Sequence, residues 1–103
     1  MAKTMDMIEM DFQNARRQAG ELEEIAQSLH MLAEQGIQSC MAGIAANWKG
    51  DNAAAFCKKG TIVESNIRQT AQELKNAAEV IRQMAQNTYQ AEKANYETAR
   101  NRM

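Results

Sequence analysis

The chain contains no proline in 103 residues, and its aromatics amount to only 5%. Without proline, no position loses its backbone N–H or has φ locked, so long helices can run unbroken. So few aromatics, in a chain rich in alanine, methionine and straight-chain polar residues, favour helix over strand. The formal net charge is -1, which leaves no electrostatic footprint for nucleic acid or an anionic membrane surface. No apolar run approaches the roughly 20 residues needed to span a bilayer, so direct membrane insertion is not expected. Met1 to Glu9 also lack the uninterrupted apolar core of a secretory signal. The chain is expected to be made in the cytoplasm and to leave, if it leaves, without a cleaved signal.

Groups that carry chemistry are equally sparse. The single histidine, His30, has Glu34 one turn later, but a metal site needs three or four ligands. Cys40 and Cys57 have neither zinc-knuckle spacing nor the neighbours of a thiol nucleophile, and are expected to be reduced and buried. Carboxylates are mixed with Lys, Arg and Gln, as on a solvated helix surface. The reading is a non-enzyme with no cofactor and no metal.

What is present is a heptad rhythm on both sides of a central turn. Met5, Ile8, Phe12, Ala15, Ala19, Leu22, Ala26, Leu29, Ala33, Gly36 and Cys40 alternate steps of three and four. Phe56, Gly60, Val63, Ile67, Thr70, Leu74, Ala77, Ile81, Met84, Thr88 and Ala91 do the same. This is the period of packed helices. Asp6 with Glu9 reads as a capping box at the start of the first. Between the stripes, Gly50 can take the left-handed conformation that closes a helix, and Asp51 can cap the next.

The expected architecture is all-α, an antiparallel two-helix hairpin: helix one over about 6–46, a turn at about 47–51, helix two over about 52–91, and a tail, 92–103, overhanging or frayed. The aligned stripes would pair Leu29 with Ile67, Leu22 with Leu74, Ala33 with Val63, Ala15 with Ile81 and Phe12 with Met84, and set Gly36 against Gly60. Ile25, Leu32, Ile37 and Ile44 flank the first stripe, as Ala71, Ala78, Ala85 and Val80 flank the second. These faces are wider than one seam needs. Two hairpins stacked on them would form a four-helix bundle with Leu22, Ile25, Leu29, Leu32 and Ile67 at the dimer core.

Trp48-Lys49-Gly50 at the midpoint of an all-helical chain of about a hundred residues resembles the WXG family, the early-secretory-antigenic-target-like substrates of bacterial type VII secretion. The resemblance implies a hairpin that forms a homodimer or a heterodimer with a related hairpin and is exported folded by a membrane ATPase. It also implies a composite signal, in which the Trp-x-Gly turn of one subunit lies beside a Tyr-x-x-x-Asp/Glu tail motif of the other. Trp48 and Gly50 match the turn. The tail departs from the pattern: Tyr89 is followed at four residues by Lys93 and Tyr96 by Arg100, while Glu92 follows Tyr89 at three. Tyr89, Glu92 and Tyr96 nonetheless share one helical face and can act as one epitope. Two alternatives stand beside export: a cytosolic targeting partner for a larger secreted toxin, and an unrelated helical adaptor or regulator.

Overall fold

A computed structural model describes residues 3–48 and 50–102. The chain is an all-α antiparallel hairpin. Its first arm is continuous: α1 (Met5–Met31), a π-helical segment (Leu32–Ile37) and α2 (Gln38–Asn47). The second arm is one helix, α3 (Asp51–Asn101). By contacts the chain divides into two compact units, Met1–Leu22 with Asn76–Met103, and Glu23–Lys75.

Thr4, rather than the expected Asp6, caps α1. Its Oγ1 accepts the Met7 N–H at 3.2 Å and its carbonyl accepts the Ile8 N–H at 3.1 Å. A threonine there satisfies two of the N–H groups that a helix start leaves without partners. Glu9, freed from capping, is used elsewhere.

The seam between the arms is made of alanine. Ala19, Ala26, Ala33 and Ala78 are fully buried at 0% exposure, with Ala71 at 4% and Ile8 at 3%. Small side chains at every seventh position let two helix axes approach closely. On α3 the half-buried Gly60, Ile67, Leu74 and Ile81 follow the expected stripe. The other half of that stripe is displaced by one residue. Phe56, Val63, Thr70, Ala77, Met84, Thr88 and Ala91 are exposed, whereas Cys57, Glu64, Ala71, Ala78 and Ala85 are half-buried or buried. The most enclosed positions of this stretch are alanines, Ala71 and Ala78, while Val63 and Met84 stay outside.

The π-helical segment changes the register of the first arm. The Gln38 N–H donates to the Ala33 carbonyl five residues back, which inserts one residue into the rhythm. Beyond Ala33 the half-buried positions are Ile37, Met41 and Ile44, and the expected Gly36 and Cys40 are exposed. Gly60 accordingly meets Met41 rather than Gly36: a Cβ at Gly60 would lie 2.9 Å from Met41 Cγ. In the second unit Gln38 donates to Glu64 at 2.7 Å and Arg68 reaches Glu34 at 3.4 Å. In the first, Phe12 stacks on Tyr89 and not on Met84, with ring centroids 4.5 Å apart.

Residues 92–101 were expected to overhang or fray. They continue α3 as helix, and Glu92 and Tyr96 are half-buried rather than overhanging.

Candidate functional site

Two regions contain the residues singled out by the sequence, one in each unit. In the second unit α2 ends at Trp48, whose backbone turns extended at φ -110° and ψ 142° while its N–H still donates to the Ile44 carbonyl at 2.8 Å. Gly50 has φ +105°, the left-handed region expected of it. Its carbonyl accepts the Ala54 N–H at 3.2 Å, so Gly50 is the cap of α3 and Asp51 lies inside the first turn. There the Asp51 carboxylate meets the positive end of the helix dipole. Lys49 lies outside the described residues. The consequence for Trp48 is plain: the residue is 61% exposed. Within the single chain, then, Trp48 is not packed as a cover over the helix ends.

The same unit carries an apolar hollow of about 360 Å³, lined by Gly36, Cys40, Met41, Phe56, Gly60 and Val63 among others. It forms where the extra residue of the π-helical segment turns Gly36 and Cys40 out of the seam. Leu32 and Ile25, at 49% and 50% exposure, lie in the unit as well. Of the expected dimer-core residues, Leu22, Leu29 and Ile67 are half-buried within the chain, and Ile25 and Leu32 are exposed. Both cysteines are free thiols. Neither is buried as the sequence leads one to expect. Cys40 is exposed, while Cys57 is half-buried and its Sγ–H points at the Met41 carbonyl, 3.8 Å away.

In the first unit, Tyr89, Glu92 and Tyr96 do share one face of α3, and that face is turned to the start of α1. Tyr89 stacks on Phe12 and its hydroxyl donates a short hydrogen bond to Glu9 Oε1. Lys3 Nζ donates to Asp11 Oδ2 at 2.9 Å and to Glu92 Oε1 at 3.1 Å. Tyr89 and Glu92, taken from the sequence as free for recognition, thus hold α3 against α1. Tyr96 has no such bond among the described residues and lines a cavity beside Glu92.

The hydrogen bond to Glu9 is the main reason that the Tyr89 phenol is raised above its ordinary pKa, with burial and the Glu9 charge adding to it. The hydrogen bonds to Asp11 and then Glu92 raise Lys3, against a smaller opposing effect of burial. In both cases the folded state favours the protonated group. The stabilisation is complete below the ordinary pKa and is lost as pH rises through the raised value. Alkaline titration of tyrosinate absorbance should therefore show Tyr89 ionising late, and Glu9→Gln should bring that transition down. An unchanged titration in Glu9→Ala, which unlike Gln leaves no acceptor, would show that the bond is not formed in solution.

His30 Nε2 lies 3.2 Å from Glu34, the one-turn pair expected, and Glu34 also takes Arg68. Among the described residues no three His, Cys, Asp or Glu side chains gather to hold a metal ion, and no helix is long and apolar enough to cross a membrane. No family model, curated protein or solved structure matches the chain.

Proposed function

We propose that this chain is a non-catalytic hairpin protein of the WXG type, made in the bacterial cytoplasm and handed as a dimer to a type VII-like secretion system. The observation that carries the reading is Trp48. The largest side chain in the protein stands 61% exposed at the turn, two residues before a glycine with φ +105°, and has no packing role within the single chain to explain it. Large exposed aromatics at a fixed backbone geometry are the usual anchors of recognition. The second support is the resemblance of Trp48 and Gly50 at the centre of an all-helical chain to the family turn.

The partner hairpin, a second copy or a relative, would cover the apolar face bearing Ile25, Leu29, Leu32, Phe56 and Val63. The membrane ATPase would then read Trp48 of one subunit together with the Tyr96 end of α3 of the other. Because Tyr89 and Glu92 bind α1, deletion of residues 89–103 would unfold the first unit as well as remove a signal. Point variants are the informative ones. The direct test is export of Trp48→Ala from the native host, with helix content by circular dichroism and dimer mass by light scattering measured alongside.

A further inference from the structure

Past the start of α1, Lys3, Ile8, Glu92, Asn95, Tyr96 and Ala99 surround a cavity of about 460 Å³. That is within the size range of small-ligand sites. Two observations bear on what it takes. The first is charge. Lys3 is shared by Asp11 and Glu92 at 2.9 and 3.1 Å, so two carboxylates have one ammonium between them and one negative charge is left over. The second is an orphan acceptor. Glu92 Oε2 is buried and has no hydrogen-bond partner among the described residues, although the Glu92 side chain as a whole keeps 24% exposure. A buried, ionised acceptor without a donor is costly, and a donor that also brings positive charge relieves the cost most.

We infer that this cavity receives a basic side chain, arginine before lysine, presented by a partner polypeptide. The cationic head hydrogen-bonds to Glu92 Oε2, and its aliphatic stem lies along Ile8 and Ala99. The Tyr96 ring at the wall adds a cation–π contact. Guanidinium is preferred because it is less strongly hydrated than ammonium and stacks on aromatic faces. An anion would meet the surplus negative charge, and a neutral apolar group would leave Oε2 unpaired. The inference rests on reading this end of α3 as a surface that another protein recognises, and it supplies the chemistry of the group recognised.

The test uses the full chain. Backbone amide NMR shifts of Ile8, Tyr96 and Ala99 are followed during titration with N-acetylarginine N-methylamide, its neutral citrulline counterpart, and n-butylguanidinium. The arginine probe should bind saturably and the citrulline probe, which keeps N–H donors but lacks the positive charge, about tenfold more weakly. Glu92→Gln, which keeps the side-chain shape, should weaken the arginine probe by a similar factor. Lys3→Gln, which removes the competing cation, should tighten it. Equal binding of the arginine and citrulline probes, or undiminished binding by Glu92→Gln, would overturn the inference. Butylguanidinium carries the same head and stem and should bind about as tightly as the arginine probe; its failure to bind would show that the contact is not made by the side chain and would overturn the inference. Loss of export in Trp48→Ala is read independently in the host. No arginine binding with that loss intact sinks this inference alone; arginine binding with normal export of Trp48→Ala sinks the export reading alone.

Discussion

Leu29→Ala should destabilise the protein by about 2–5 kcal/mol, the cost of truncating a leucine in a closed core. Within the single chain Leu29 is only half-buried, so a lone hairpin would lose less than that range. Leu32 sharpens the contrast. It is 49% exposed, and Leu32→Ala on an uncovered surface should change stability by no more than about 0.5 kcal/mol. If a second hairpin covers this face, both truncations fall in the core range, and the melting temperature rises with protein concentration because folding and association are linked. Denaturant titrations of the two variants at two protein concentrations separate the cases. Small, concentration-independent effects would mean that the wide apolar face is only exposed surface.

The alanine seam makes the opposite kind of demand. Ala26→Leu should cost about 1–3 kcal/mol by overpacking, since Ala26 has 0% exposure. Leucine is nearly as good a helix former as alanine, so helix propensity cannot account for such a loss. Val80→Leu is the control, because Val80 is 56% exposed and the added volume goes into solvent. A fall in the denaturation midpoint for Ala26→Leu, with Val80→Leu unchanged, would show the arms closed on small residues. If both variants melted like wild type, the arms would not be in close contact at that level.

The same seam explains what could and could not be read from the sequence. The two arms were legible because nothing interrupts a three-and-four rhythm and Gly50 marks the break. The face of α3 was half legible. Ile67, Leu74 and Ile81 face inward as the rhythm predicts, but the same rhythm takes in Val63 and Met84 and puts Ala71 and Ala78 on its flank, whereas close approach rewards the smaller side chain. The π-helical segment has no marker in a heptad count, so Gly36 and Cys40 were put into the seam that Ile37 and Met41 occupy.

Of the candidate sites, Trp48 and Gly50 were legible because a turn is local. The α3 end was not. Its polar composition looks solvated, yet Lys3 and Glu92 form an ion pair across a separation of 89 residues, and Tyr89 is held by Phe12 and Glu9. Partners so distant in sequence leave no spacing signal. The hydroxyl of Tyr89 and the charge of Glu92 acquire their roles only once the chain has doubled back.

Export of Trp48→Ala from the native host, compared with wild type at equal intracellular level, tests the central proposal most directly. The variant should keep its helix content and its mass, because a residue that is 61% exposed contributes little to packing. Its appearance outside the cell should fall by about thirtyfold or more, the effect of losing ~2 kcal/mol at an aromatic anchor. Normal secretion of a folded Trp48→Ala protein would contradict the proposal that this turn is what the secretion machinery reads.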